Sequence, residues 1–299
     1  MSHQIRNRYS LSECIGRGTY GRVWECRDEK EKCVKKVMKE SMFGNYEGFD
    51  PFENIYNLEV SVYHALAKSP NSHFFPKLFE HFVLDDPRKG ILVLEKLGQP
   101  VRMIRKQNQD DLFSFSNTVK IALCVGKGLK YLHESGYLHR DIQENNIVFS
   151  LETNSNVVCK IIDFGAAQTI YNADGTINFK YPELDFSNCS FSSLALNYML
   201  PPDEQDDWES FFYFVLALFD RFHIYGGPEE LIEEKTKLHL DPISVLDDGF
   251  LVQLWFSIAG QGYKKKFNPD EVLEVITDLD VDFEEPLDCK QVGQYFIVE

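Results

Sequence analysis

The sequence predicts an α+β fold in two parts: a small β-rich N-terminal lobe over about residues 9–97 and a larger α-helical C-terminal lobe over about 98–299, together one domain. Three observations predict it. Short β-type runs separated by polar turns fill the first hundred residues. After Leu97-Gly98-Gln99-Pro100 the apolar spacing becomes helical. The segment Trp208 to Phe219 is apolar on nearly every side, as a central helix of a substantial core must be.

In chain order, strands are expected over Tyr9 to Ile15, Arg22 to Cys26, Cys33 to Val37, Lys77 to Leu84 and Ile91 to Leu94, with turns such as DEKEK and DDPRKG between them. One helix interrupts these strands. Phe52, Ile55, Val62 and Leu66 share a helical stripe that also passes through Glu59, and a carboxylate on a buried face needs a partner. Beyond the connector, Ser116 is expected to cap a helix that buries Ile121, Val125, Leu129 and Leu132 and stops at Gly136. A groove between two such lobes is a usual place for a ligand.

Charge and composition narrow the functional classes. The chain of 299 residues carries 31 basic and 47 acidic side chains, a net −16 that argues against nucleic acid and anionic membrane as partners. The excess is local. Residues 201–299 hold 7 basic and 23 acidic side chains, whereas residues 1–40 hold 10 and 6. Seven cysteines without a CxxC pair read as thiols in a reducing compartment. With no apolar signal core at the N-terminus and Phe211 to Phe219 as the longest apolar run, an intracellular location is expected, cytoplasmic and/or nuclear.

Four motifs carry chemistry. GRGTYGRV (16–23) between two strands is a glycine-rich hairpin whose backbone can approach phosphates closely. In CVKKV (33–37), alternation puts Lys35 on the face of Cys33 and Val37, where its ammonium would satisfy Glu59. YLHRDIQENNIVF (137–149) holds His139, Arg140, Asp141 and Asn146 in the order H-R-D-x-x-x-x-N, an acid to accept a hydroxyl proton and an amide to hold a metal. IIDFG (161–165) ends an apolar strand in Asp163, a carboxylate suited to Mg²⁺. GTINFKYPE (175–183) and DDWES (206–210) follow.

In this order and spacing the chain resembles the eukaryotic protein kinases over nearly its whole length. The resemblance implies a two-lobed protein-kinase-like fold, with ATP and Mg²⁺ as cofactors and protein substrates as partners. It implies that Ile15, Gly16, Gly18, Gly21 and Val23 cover the nucleotide, that Lys35 holds its phosphates and pairs with Glu59, and that Asp163 and Asn146 bind the metal. Asp141 is the implied catalytic base. Leu94 is the implied gatekeeper, Glu95 to Leu97 face adenine, and Val23, Cys33 and Val148 line its apolar slots. LVLEKLGQP, HRDI and DDWESFFYFVLAL are most similar to the casein kinase 1 group, including its vaccinia-related members.

Several departures mark this chain. Gln143 stands two residues after Asp141, where serine/threonine kinases usually carry a charged Lys, and Glu144 replaces a usual Pro and brings a further negative charge to the phosphate site. The stretch 184–206 is longer than most kinases have, a candidate insertion beside the substrate groove. Arg140 either pairs with a phosphate on Thr169, Tyr171 or Thr176, or packs locally, and local packing is favoured. The expected activity is an ATP- and Mg²⁺-dependent serine/threonine protein kinase, with a pseudokinase or weakly active nucleotide-binding scaffold as the alternative. A monomer is expected, with a basic partner docking on the acidic C-terminal third.

Overall fold

The computed structural model describes residues 4–18, 21–31, 36–43, 50–150, 158–222, 227–262, 266–292 and 295–298. They form two compact units, one of 1–97 with 162–165 and one of 98–161 with 166–299.

The first unit is built on a six-stranded antiparallel sheet, β1 (Gln4–Ile5), β2 (Tyr9–Gly18), β3 (Gly21–Asp28), β4 (Lys36–Met42), β5 (Leu78–Asp85) and β6 (Arg88–Glu95), in the order β1-β2-β3-β4-β6-β5. Tyr9, Cys26, Met38, Phe82, Ile91 and Val93 form an apolar cluster in this unit. Helix α1 (Pro51–Leu66) packs on the sheet, its start fixed by Asp50, which accepts from the Phe52 and Glu53 amides, and by Pro51 at the first helical position. It buries Tyr56, Glu59, Val62, Tyr63 and Leu66, leaving Phe52 and Ile55 half-buried.

The glycine-rich motif lies on the β2–β3 hairpin, with Gly16 opposite Val23 and Gly18 opposite Gly21; Thr19 and Tyr20 lie outside the described residues. Gly21 has a steric duty apart from any ligand. A Cβ there would fall 1.7 Å from the Glu40 carbonyl oxygen of β4, whereas one at Gly18 meets nothing within 4 Å.

The second unit is mainly helical: α2 (Val101–Arg105), α3 (Phe115–Glu134), α4 (Leu194–Asn197), α5 (Glu204–Leu218), α6 (Pro228–Leu240), α7 (Pro242–Val245), α8 (Gly249–Ala259) and α9 (Pro269–Thr277). Its strands form three two-stranded pairs: β7 (Tyr137–Leu138) with β10 (Gln168–Thr169), β8 (Ile147–Phe149) with β9 (Cys159–Ile161), and β11 (Cys289–Val292) with β12 (Tyr295–Val298). Helices α3, α5, α8 and α9 pack together, and Trp208, Phe211, Phe212, Tyr213 and Phe214 of α5 are fully buried, as its uninterrupted apolar character requires. No helix among the described residues is long and apolar enough to cross a membrane.

Helix α3 is capped by Ser114, which accepts from the Asn117 amide, and not by the expected Ser116. Both serines have capping chemistry, and Ser114 is the one whose side chain takes a free first-turn amide, two residues upstream of the expected cap. Ile121, Val125, Leu129 and Leu132 are all fully buried, and the chain leaves the helix through Gly136 at φ +89°.

Gly21→Ala should therefore destabilise the fold by about 1–3 kcal/mol through overpacking, while Gly18→Ala should be close to neutral. Thermal unfolding of the two variants checks this, and equal melting temperatures would contradict the steric reading of Gly21.

Candidate active site

In the first unit a buried lysine stands between two carboxylates. Lys39 Nζ lies 2.8 and 2.9 Å from the Glu59 carboxylate oxygens and 2.8 Å from Asp163 Oδ1. Glu59 is nearly inaccessible, whereas the Asp163 side chain is 44% exposed. Burial alone would push the Lys39 ammonium down, but Asp163 and Glu59 outweigh it and hold its pKa above the ordinary lysine value. Asp163 adopts φ +67° and also accepts from the Gly165 amide, a turn that aims its carboxylate back at Lys39. Phe164 sets its ring edge against Tyr63 of α1, 5.1 Å between centroids.

This corrects the lysine chosen from sequence. Among the described residues Glu59's partner is Lys39; Lys35, like Cys33, lies outside them. Alternation puts Lys39 on the face of Val37, with which it shares parity. It could not choose the position along the strand. The pairing of Val23 with Lys39 and of Leu92 with Lys39 decides that. Lys36, on the opposite face, is buried against Asp28 and Glu31, and Arg8 holds the same Asp28 at 2.7 Å. Of the other residues expected around a nucleotide, Ile15 is exposed and Val23 is half-buried. Leu94 is buried, and Glu95 and Leu97 are half-buried at the end of the unit. Glu95 is fixed by the Lys77 amide, which donates to its carboxylate at 3.0 Å.

In the second unit the loop between β7 and β8 carries the acid. Asp141 Oδ1 accepts from Gln143 Nε2 at 2.6 Å, and Oδ2 accepts from Asn146 Nδ2 at 2.7 Å. Asn146 Nδ2 also donates to the Asp141 carbonyl, so the amide nitrogen serves the loop and the amide oxygen is the atom suited to a cation. Val148 is buried on β8, bridged to Pro100.

The loop's backbone is held by Asp207, in the first turn of α5. Its Oδ2 accepts from the His139 amide at 2.6 Å and its Oδ1 from the Arg140 amide at 2.7 Å, with His133 Nε2 2.9 Å from Oδ2. Burial alone would raise this carboxyl; the His133 contact and its neighbours outweigh it and hold the pKa below the usual carboxylate range. Arg140 adopts φ +66°, a strained conformation for a residue with a Cβ. The Asp207 clamp offsets that strain. Sequence singled out DDWES but gave Asp207 no role; the available signal was an acid leading into a run that is apolar from Phe211 to Phe219.

Arg140 packs locally, the favoured reading: its guanidinium donates to the Ala166 and Ala167 carbonyls and to Gln168 Oε1, and lies over the Phe186 ring. Thr176 donates to Asp174 inside a tight turn, and Asn178 donates to the Thr169 hydroxyl. Glu144 does not add charge to a phosphate site. It is buried against Arg105 of α2, at 2.6 Å from Nε, so its charge is compensated.

The stretch 184–206 folds onto the unit through Phe186 and Leu196, which cluster with Ala166. Lys235 of α6, fully buried, donates to the Ser192 carbonyl and to Asn197 Oδ1. Desolvation pushes its pKa down to about 7, against the pull of Glu209 and Cys189.

Among the described residues no cluster of three or more His, Cys, Asp or Glu side chains offers a metal cage. The Asp163 carboxylate of the first unit and the Asn146 amide oxygen of the second are each hard oxygen donors of the kind that Mg²⁺ takes.

The family described as the protein kinase domain matches residues 9–189, and the chain belongs to it. It is 25% identical over 215 residues to a probable serine/threonine-protein kinase of Dictyostelium discoideum, covering 71% of this chain and 41% of that protein. It is 28% identical over 190 residues to the serine/threonine-protein kinase TOS3 of Saccharomyces cerevisiae, covering 60% and 33%. The match thus spans less than half the length of these relatives. In fold it is similar to the solved structure of vaccinia related kinase 3, with a TM-score of 0.72 at 17% identity over 93% of this chain and 91% of that one.

The buried ammonium predicts a pH dependence. The depressed folded pKa of Lys235 means that its contribution to stability is fully present above about 10.5, the unfolded value, and is lost as pH falls towards about 7. Against Lys235→Met, which cannot titrate, the wild type should lose melting temperature between pH 9.5 and pH 7; a pH-independent difference would contradict a buried, titrating lysine.

Proposed function

We propose that the chain is an ATP- and Mg²⁺-dependent serine/threonine protein kinase that transfers the γ-phosphate of ATP to Ser/Thr hydroxyls of protein substrates. The observation that carries the proposal is the Asp141 carboxylate, held at both oxygens by the Gln143 and Asn146 amides and therefore oriented before any substrate arrives. Asp141 accepts the proton of the attacking hydroxyl. Lys39, kept charged and fixed by Glu59, binds the phosphate oxygens of the nucleotide, under the β2–β3 hairpin with Gly16, Gly18 and Gly21. Asp163 and Asn146 would each offer an oxygen to Mg²⁺, whose charge would offset that of the transferring phosphoryl group. A casein kinase 1-like type is supported by the hinge and DDWES motifs.

Lys39→Met should abolish transfer to a protein substrate, whereas Lys35→Met should retain it. Radiolabelled ATP, with melting curves as folding controls, reads the difference; loss in Lys35→Met with activity kept in Lys39→Met would overturn the assignment.

The second reading, a weakly active nucleotide-binding scaffold, is favoured by Gln143, whose amide orients Asp141 but supplies no charge to the phosphoryl group. A lost electrostatic donor costs on the order of 10²-fold in turnover, so Gln143→Lys should raise kcat with little change in the KM for ATP. Transfer by the wild type that disappears in Asp141→Asn excludes the scaffold reading, and equal signals from both proteins favour it.

A further inference from the structure

Helix α6 buries Leu231, Lys235 and Leu238, and the chain then turns outward. Over the next few residues it exposes three large aliphatic side chains, Leu240 at 80%, Ile243 at 68% and Val245 at 46%. Single exposed apolar residues are ordinary, but three within six positions of a short α6–α7 corner form a patch, and a patch rimmed by charge marks an interaction site. The rim is mainly acidic. Residues 227–250 hold seven acidic and two basic side chains. Of the two, Lys235 is buried, and Lys237 is engaged by Glu233 and Glu234. Asp241 and Asp248 cap α7 and α8 by accepting backbone amides, and Asp247 is 74% exposed beside Arg221. The corner offers aliphatic contacts inside a negative field.

We propose that the α6–α7 corner is a docking surface for a basic segment of a protein substrate, one that presents two or three aliphatic side chains flanked by Lys or Arg. Charge complementarity selects this occupant: the acidic rim repels nucleic acid, anionic membrane and acidic peptides, and steers cations towards the aliphatic centre. The aliphatic centre supplies affinity and the rim supplies the rate of encounter. The word substrate rests on the kinase function proposed above; the binding does not.

The test is a fluorescence anisotropy titration of the full chain with a short labelled peptide carrying paired leucines between arginine runs. One control peptide has the arginines changed to glutamates, and another has the leucines changed to serines. Saturable binding that weakens with added salt, is absent for both controls, and falls at least about tenfold in Leu240→Ser/Ile243→Ser is the expected result. Glu233→Lys/Glu234→Lys should weaken it through the rim alone. All four positions are exposed, and circular dichroism verifies that the variants fold. Binding unchanged in the double-serine variant, or equal for the glutamate control, overturns the proposal. Self-association in sedimentation velocity that the same serines abolish also overturns it, because the patch then belongs to a second copy of the chain. A kinase arm compares transfer to an acceptor peptide with and without the basic segment. Loss of the segment's advantage in the double-serine variant supports substrate docking; no transfer to either peptide overturns the kinase reading, while the titration still decides the surface.

Discussion

A carboxylate buried in a helical core has to be answered by donors, and Asp207 is answered by the backbone of the loop that carries the chemistry. Because α5 is buried from Asp206 to Leu218, the two amides bonded to Asp207 tie His139 and Arg140 to the core of that unit. The strained φ of Arg140 persists for the same reason. Asp141 follows immediately and is oriented by the amides of Gln143 and Asn146. The loop is thus fixed at its start by a charge and from its own far end by neutral donors.

The first unit solves a related problem with ion pairs. Glu59 sits on the buried face of α1 because helical spacing puts it there, and leaving it unpaired would cost far more than placing a cation beside it. Lys39 supplies the cation and is also drawn to Asp163, so a single ammonium ties helix, sheet and the 162–165 segment within that unit. The other face of β4 repeats the device. Lys36, Arg8 and Asp28 neutralise one another there, and the pKa of Asp28 is held far below the carboxylate range by the Arg8 and Lys36 contacts. One lysine of the strand serves the site and its neighbour three residues earlier serves the fold.

Gln143 and Glu144, two departures from the usual kinase pattern, separate once their partners are known. Glu144 is a structural residue, matched by Arg105, with no bearing on a phosphate. Gln143 reaches the Asp141 carboxylate directly, so the exchange of a charge for an amide acts on the immediate surroundings of that acid. Asn145 donates to Gln143 Oε1 and turns the amide nitrogen towards Asp141. The loop retains orientation where it gives up charge.

The sequence by itself determined the two-part architecture, the helix that carries Glu59 and the buried character of α5, and it singled out Asp141, Asn146 and Asp163, because these depend on periodicity and on spacing within short segments. It also determined the face on which the paired lysine lies, since alternation along a strand is local. Which lysine on that face meets Glu59 depended on strand register, a relation between segments distant in the chain, and Lys39 rather than Lys35 followed only from the pairing of β4 with β3 and β6. The start of α3 at Ser114, the neutralisation of Glu144 by Arg105 and the clamp from Asp207 belong to the same kind. Each depends on what a side chain meets across the fold, and tertiary packing alone brings those partners within reach.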